Sequence, residues 1–251
     1  MSSCPRRTSS PTRTWWCCAS PPPSGWPWCW KRCCKMKLHP LEKWMMTNPL
    51  RAWLQRRYEA PYLFEGMELR PGAVCLEIGC GWGVGALLIA ERFPGCRVIA
   101  TDYDPQMIEL ARAVLADPPR WARGIRWDNI ELRVADATAL PFPDASFDAV
   151  FAFGILHHIQ NWPQAVREVY RVLWPGGAFS LEEFFLDAPP LRANLALAKR
   201  FGIPPPYVVI REREFKQVFK EAGFRFDSYR RWAGLGVGCF AVARKNRRVR
   251  C

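Results

Sequence analysis

A glycine cluster and an acid about twenty positions beyond it are the residues of this chain whose types and spacing suit chemistry together. The cluster, Gly79-Cys80-Gly81-Trp82-Gly83, follows the apolar run 74–78 and precedes the helix-forming run 86–90. This order predicts a strand, a tight turn and a helix, whose unpaired N–H groups suit an anionic ligand. A second predicted strand, 97–101, ends at Asp102, where a carboxylate can accept hydrogen bonds from ribose hydroxyls. The pattern therefore predicts a nucleotide-type ligand.

The spacing of the glycines indicates which nucleotide. A dinucleotide fingerprint needs a third glycine where Val84 stands, so a dehydrogenase is the weakest interpretation. The run from Glu77 to Gly83 instead reads E-x-G-x-G-x-G, which resembles the first motif of class I S-adenosylmethionine-dependent methyltransferases. The resemblance covers about residues 69–244 and is densest over 72–177. There the chain is similar to the branch that contains the ubiquinone/menaquinone C-methyltransferases (type 11).

The resemblance implies that S-adenosylmethionine is the cofactor and that the residues around it follow successive strands. Asp102 is expected to accept from both ribose hydroxyls, and Asp136 from the adenine amino group. A simple loop cap is the alternative role for Asp136. The residues expected to bind the cofactor are Glu77, Gly79, Cys80, Gly81 and Gly83 after the first strand, Asp102 and Tyr103 after the second, Asp136 and Ala137 after the third, and Phe153 at the end of the fourth.

The sequence points less clearly to catalytic residues than to cofactor-binding ones. The sulfonium of S-adenosylmethionine already activates the methyl group, so the reaction needs little help from a side chain. The candidates are His157, Glu182 and Glu183, which follow the fourth and fifth predicted strands at the expected acceptor side. Structural roles, in a turn for the histidine and in strand-end capping for the acids, are the alternatives. The side chains of His157 and His158 are expected to diverge, so no metal site is predicted.

Strands and helices alternate along the chain, which predicts an α/β fold with a largely parallel sheet and helices on both faces. The predicted elements after the second strand are a helix from Asp104 to Asp117, strands 130–134 and 147–153, a helix capped by Asn161 and ended by Pro175-Gly176-Gly177, a strand 178–182, a helix 212–222 ended by Gly223, and closing strands 224–232 and 239–243. The family resemblance makes this a Rossmann-like, doubly wound sheet of seven strands with a reversed last strand.

The expected domain organisation has two parts. Residues 1–35 are expected to be a disordered extension, and 36–251 the methyltransferase domain, with leading helices over 36–70, a cofactor-binding core over 71–184, a lid-like insertion over 185–211 and closing elements over 212–251. The apolar positions Leu50, Trp53, Leu54 and Tyr58 have helical spacing, with Asn48-Pro49 as the start. With the apolar insertion they suggest a cover over an apolar or amphiphilic acceptor; packing on one another is the alternative.

The distribution of charge and the positions of the cysteines restrict the class of protein to which this chain can belong. The net charge is +13, but residues 1–41 carry seven Lys/Arg without an acid and residues 244–251 carry five, which leaves +1 for 42–243. A nucleic-acid partner is therefore not expected, because such proteins usually carry a basic face on the domain itself. Six of the eleven cysteines lie in residues 1–34 without metal-ligand spacing. The scattered remainder suggests reduced thiols and a cytoplasmic protein with no membrane span.

The sequence thus favours methyl transfer from S-adenosylmethionine to a small or amphiphilic acceptor. A nucleic-acid methyltransferase is disfavoured, since Phe153-Gly154-Ile155-Leu156 stands where an N/D-P-P-Y-type motif would follow the fourth strand. A catalytically silent, cofactor-binding partner subunit stays open, because intact glycines and acids do not prove turnover. The acceptor atom and the oligomeric state also stay open.

Overall fold

The structure, a computed structural model, describes residues 47–125, 128–185, 208–233 and 237–247. The predicted extension 1–35 and nearly all of the predicted insertion 185–211 lie outside these residues. The first elements are a leading segment made of α1 (Pro49–Leu54), a π-helical turn (Gln55–Glu59) and α2 (Ala60–Leu63).

The remaining elements alternate between strands and helices as expected. They are β1 (Val74–Ile78), α3 (Val84–Arg92), β2 (Arg97–Asp102), α4 (Pro105–Ala116), a 3-10 turn (Arg120–Ala122), β3 (Ile130–Val134), β4 (Phe147–Phe153), a 3-10 turn (Leu156–His158), α5 (Trp162–Val172), β5 (Leu173–Phe184), α6 (Glu212–Ala222), β6 (Phe224–Ala233) and β7 (Val237–Lys245).

The seven strands form one sheet in the order β3-β2-β1-β4-β5-β7-β6. The pairs among β1 to β5 are parallel, whereas β7 runs antiparallel to both β5 and β6. The chain moves outward from β1 in one direction and then returns to β4 on its other side. The carboxyl ends of β1 and β4 therefore flank the point at which ligands bind in such sheets. The predicted Rossmann-like fold with a reversed strand is confirmed.

Each face of the sheet has its own apolar core, and the two cores explain where the helices lie. One contains Leu76, Val150 and Phe179 with residues of α5 and α6. The other contains Phe151 and Phe153 with residues of α3, α4 and the leading segment. Strands covered on both faces read as continuous apolar runs, as β4 does.

Two predicted helix starts are confirmed by side-chain caps, and a third is not. Asn48 Oδ1 accepts from the Arg51 N–H, and Asp104 Oδ1 accepts from the Gln106 N–H, each at 2.9 Å. Asn161 occupies the N-cap position of α5, but its side chain makes no capping bond. The prediction that its side chain caps this helix is therefore wrong.

This contrast gives a testable pair of variants. Asp104→Ala is expected to lower the free energy of unfolding by about 1 kcal/mol, because an orphan amide of α4 loses its acceptor. Asn161→Ala is the matched control, and it should change that free energy by less than about 0.5 kcal/mol. Urea unfolding measures both variants. Equal losses would show that the Asp104 bond contributes nothing beyond helix propensity.

The leading segment buries small and polar side chains rather than its apolar stripe. Its buried positions are Ala52, Gln55, Ala60 and Leu63, while the predicted apolar face, Leu50, Trp53, Leu54 and Tyr58, is exposed. Ala52 and Ala60 belong to the apolar core on one face of the sheet, and the helix α2 that contains Ala60 packs against β5 and β7. The buried Ser180 hydroxyl of β5 donates to the Leu63 carbonyl, which anchors this face.

The later strands are longer than predicted. Helix α5 ends at Val172 rather than at Pro175-Gly176-Gly177, because Leu173 already pairs with Phe147 of β4. The register between these strands shifts before Ala149 pairs with Ala178, so residues 174–177 form an irregularity within β5. Among the described residues, no helix combines the length and apolarity needed to cross a membrane.

Candidate cofactor and acceptor site

The glycine loop between β1 and α3 uses its first and third glycines to fit against the protein. Gly79, Gly81 and Gly83 all have positive φ, at 68°, 53° and 88°, a region that favours glycine. A Cβ at position 79 would lie 2.2 Å from Cγ1 of Ile155, and one at position 83 would lie 3.1 Å from Cβ of Ala111. These two glycines therefore allow close packing against the turn after β4 and against α4.

Gly81 differs, because a Cβ at this position would meet no atom of the described residues within 4 Å. Its N–H donates to Oδ2 of Asp102 at 2.9 Å, across 21 positions of sequence. The middle of the loop is thus fastened to the end of β2 while its Cα side faces open space. This is the shape that a ligand held against the backbone requires.

Backbone N–H groups hold both carboxylate oxygens of Asp102 in place. Its second oxygen, Oδ1, accepts from the Asp104 N–H at 2.9 Å. Burial raises the pKa of Asp102, and the amides of Asp104 and Gly81 act against that rise. Each carboxylate oxygen has a second lone pair, so both can still accept hydrogen bonds from hydroxyl groups. The adjacent Tyr103 ring is half exposed and lies at the same edge.

Glu77 is buried in β1, directly under the loop. Its pKa is raised to about 8, first by burial and then by the charge of Asp102, against one hydrogen bond from the Ala86 N–H. Its Oε2 atom is buried and has no hydrogen-bond partner among the described residues. A buried acceptor without a donor is costly, so this oxygen suits a cationic or N–H ligand group.

Gly85, which the sequence argument did not single out, makes room for Glu77. A Cβ at position 85 would lie 1.9 Å from Oε1 of Glu77 and 2.9 Å from Cδ2 of Phe153. The signal was present in the sequence, since Gly85 continues the alternation of glycines begun at Gly79.

Cys80 and Phe153 support the loop from the protein side. The Cys80 N–H donates to the Thr101 carbonyl at 2.9 Å, and burial raises the pKa of its thiol. Phe153 is buried against Phe64 of the leading segment, with ring centroids 6.3 Å apart. Their direct contact with a cofactor stays a prediction.

Asp136 follows β3 at the same edge of the sheet, beyond β2. Its Oδ1 accepts from both the N–H and the hydroxyl of Thr138, at 2.8 and 2.7 Å. This is the loop-capping role that the sequence left open. The half-buried Ala137 packs against the apolar core. Recognition of adenine by Asp136 and Ala137 stays a prediction.

Glu182 and Glu183, at the end of β5, lie on opposite faces of the sheet, as consecutive strand residues must. Burial first, and then the neighbouring carboxyl of Glu59, raises the pKa of Glu182 well above its usual range. Glu59 itself forms an ion pair with Arg51 of α1. Glu182 therefore lies near Glu59 of the leading segment, and Glu183 faces His157. A role of either acid at the acceptor side stays a prediction.

His157 and His158 do not diverge as predicted. They lie in a 3-10 turn rather than a strand, and their ring centroids are 4.2 Å apart. Burial and the adjacent His157 lower the pKa of His158 to about 3. Within the described part of the chain, no group of three or more His, Cys, Asp or Glu side chains is arranged to hold a metal ion.

Comparison with known proteins agrees with this geometry. Residues 76–181 match the model of a methyltransferase domain family, Methyltransf_11. That segment runs from β1 to β5 and contains the glycine loop, Asp102 and the strand ends. This segment is similar to a methyltransferase domain, as the resemblance of the glycine motif predicts.

Named relatives are similar to between half and two thirds of the chain. A demethylmenaquinone methyltransferase of Thermus thermophilus is 40% identical over 126 residues, which are 50% of this chain and 52% of the relative. A 27-O-demethylrifamycin SV methyltransferase of Amycolatopsis mediterranei is 34% identical over 166 residues, 64% of this chain and 57% of the relative. The chain thus spans about half the length of the curated relatives it matches.

Solved structures share the fold. The PH0226 protein of Pyrococcus horikoshii has a TM-score of 0.65 at 21% identity, with 79% of this chain and 93% of that chain covered. At this identity the likeness concerns the fold alone.

Proposed function

We propose that this domain binds S-adenosylmethionine at the glycine loop and transfers its methyl group to a small or amphiphilic acceptor. The observation that carries the proposal is the open space at the Cβ position of Gly81, whose N–H donates to the Asp102 carboxylate. The buried Oε2 of Glu77, in the strand that leads into the loop, has no partner among the described residues and supports the proposal. These groups fit the cofactor: a carboxylate for ribose hydroxyls, a bare backbone for the methionine part, and a buried acid for its amino group.

The cofactor supplies an activated methyl group on a sulfonium, so the chain needs to provide little chemistry of its own. The loop holds one reactant, and the ends of β4 and β5 lie where the second must approach. Correct alignment and exclusion of water then supply most of the rate enhancement. The partly exposed ring of Phe184, at the end of β5, favours an acceptor with an apolar body.

Similarity supports a small-molecule acceptor without naming it. The relatives' names refer to demethylmenaquinone and to 27-O-demethylrifamycin SV, two different small molecules. The insertion that is predicted to help cover the acceptor lies outside the described residues over 186–207. In the leading segment, Trp53 lines a cavity of about 570 Å³ with Phe64 and Leu88, on the α3 side. A role of that segment over the acceptor stays a prediction.

Calorimetry with S-adenosylmethionine and with NAD tests the cofactor assignment on the full chain. Asp102→Ala should weaken S-adenosylmethionine binding by at least about tenfold, since hydrogen bonds to a charged group contribute about 1.5–3 kcal/mol each. Asp227→Asn changes a carboxylate on β6, at the far edge of the sheet, and is the matched control. NAD should not bind.

Retained affinity in a folded Asp102→Ala variant would contradict the assignment. A methyl-release assay over an acceptor library then separates an enzyme from a silent partner subunit. Tight cofactor binding without release for any acceptor would favour the silent subunit.

A further inference from the structure

The apolar stripe of the leading segment, Leu50, Trp53, Leu54 and Tyr58, is exposed in the structure. Leu50, Trp53 and Tyr58 are 65%, 53% and 51% exposed. Residues three or four apart lie on one side of a helix, and across the π-helical turn the rings of Trp53 and Tyr58 meet edge to face, with centroids 5.6 Å apart. Single exposed apolar residues are ordinary, but a contiguous set marks an interaction surface.

Positive charge without an acidic partner lies beside the stripe. The guanidinium carbon of Arg57 lies over the Tyr58 ring, 5.4 Å from its centroid, and that of Arg92 lies over the Phe93 ring at 5.0 Å. Neither arginine belongs to an ion pair within the described part of the chain. In the sequence, residues 31–43, which precede this segment, carry five Lys/Arg and one acid. This surface therefore favours a negatively charged partner.

The cavity of about 570 Å³ between the leading segment and α3 combines the two kinds of group. Its apolar lining includes Trp53 and Leu88, and Arg57 and Arg92 line it as well. The two acids of the lining already pair with arginines: Glu65 with Arg230, and Glu91 with Arg56. The cavity uses the C-terminal half of α3, whereas the glycine loop adjoins the N-terminal end of this helix. The surface is therefore separate from the proposed cofactor site.

We propose that the leading segment docks the domain on the surface of a membrane that contains anionic phospholipids. Tryptophan and tyrosine favour the boundary between acyl chains and headgroups, because each ring has an apolar body and a polar group. Arginine pairs with phosphate oxygens, and anionic lipids attract nearby basic residues. In this orientation the segment lies in the plane of the interface, with the apolar stripe toward the acyl chains. The inference does not rest on cofactor binding.

A second copy of the chain is the main alternative occupant of such a stripe. Two copies that met here about a two-fold axis would place Arg57 and Arg92 of one beside the same arginines of the other. Like charges at an interface disfavour association, whereas an anionic lipid surface supplies the opposite charge. The charges beside the stripe thus favour the membrane.

Flotation with vesicles tests the apolar stripe on the full chain. Wild-type protein should bind vesicles of phosphatidylcholine with about one third phosphatidylglycerol at least about tenfold more tightly than vesicles of phosphatidylcholine alone. Trp53→Ala should weaken binding to the anionic vesicles by about tenfold or more, because a large apolar side chain no longer enters the interface. Leu50→Ser, at the other end of the stripe, should act in the same direction.

Trp174→Ala is the matched control for the stripe. Trp174 is also 51% exposed, but it lies at the start of β5, six residues before the Ser180 that contacts the leading segment. Its replacement should leave vesicle binding within about twofold of the wild type.

A charge-reversed pair of variants tests the choice of lipid. Arg57→Glu should weaken binding to the anionic vesicles by about tenfold or more and leave binding to phosphatidylcholine unchanged. Arg167→Glu makes the same charge change at an exposed position of α5, on the opposite face of the sheet, and should stay within about threefold of the wild type, since the Debye length is about 10 Å at 0.1 M salt. All variants should match the wild type in thermal unfolding and in S-adenosylmethionine affinity, because they change exposed side chains away from the glycine loop.

Wild-type protein that bound neither kind of vesicle would overturn the proposal. Equal vesicle binding by Trp53→Ala and Trp174→Ala, or by the two arginine variants, would also overturn it, because the basic residues that precede the segment would then be sufficient. A dimer seen by light scattering, dissociated by Trp53→Ala and without affinity for vesicles, would assign the stripe to a second copy instead.

Discussion

Gly81→Val is expected to weaken S-adenosylmethionine binding by at least about 100-fold, equivalent to roughly 2.7 kcal/mol. A valine here would place its branched side chain in the open space over the loop, where the ideal Cβ has no non-adjacent atom of the described residues within 4 Å. The substitution also strains the backbone, because φ of 53° suits glycine and costs a β-branched residue about 1–3 kcal/mol. Isothermal calorimetry measures the affinity, and thermal unfolding the strain.

The chain offers a control that separates strain from occlusion. Gly72 has φ of 80°, and a Cβ there would also meet nothing within 4 Å, but it precedes β1 at the opposite end from the loop. Gly72→Val should show a comparable loss of stability with unchanged cofactor affinity. If the two variants lost affinity equally, the open space over Gly81 would not be the ligand site.

Features that depend on neighbouring residues were predictable from the sequence. The strand–loop–helix at Gly79 to Gly83 and the cap at Asp104 each follow from short-range backbone chemistry. The approach of Asp102 to Gly81 also follows, because parallel strands β1 and β2 bring their carboxyl ends to one edge. Side-chain type and spacing are enough in these cases.

Features that depend on which surfaces meet were not predictable in the same way. The leading segment has an apolar stripe at helical spacing, yet it buries Ala52 and Ala60 in the core on one face of the sheet and leaves the stripe exposed. Likewise, the Glu183 bond to His157 depends on where β5 ends relative to a turn 26 residues earlier. No local pattern encodes that register.

The second large effect is the release of a proton from Glu77 when the cofactor binds. In the cofactor-free domain, burial raises the pKa of Glu77 to about 8, so this acid is mostly protonated at pH 7. If the cofactor ammonium pairs with Oε2, binding favours the carboxylate and expels about one proton. Affinity should therefore rise from pH 6 to pH 8 and then level. Calorimetry at pH 7 in buffers of different ionisation enthalpy counts the proton.

Glu77→Gln separates the effect of this buried acid on stability from its effect on cofactor affinity. A pKa raised in the folded state means that stability is full below the unfolded value and falls as pH rises through about 8. The amide cannot ionise, so the variant should unfold less easily than the wild type near pH 8.5. Its cofactor affinity should nevertheless fall by about tenfold or more, because a charged partner is lost.

Glu182→Gln is the matched control, since burial also raises the pKa of Glu182 but its neighbour is Glu59 of the leading segment. It should gain stability at high pH in the same direction and leave both cofactor affinity and the proton count unchanged. A Glu77→Gln variant that kept full affinity and still released a proton would show that another group ionises on binding. Opposite changes in stability and affinity, confined to Glu77, would place the cofactor ammonium beside that carboxylate.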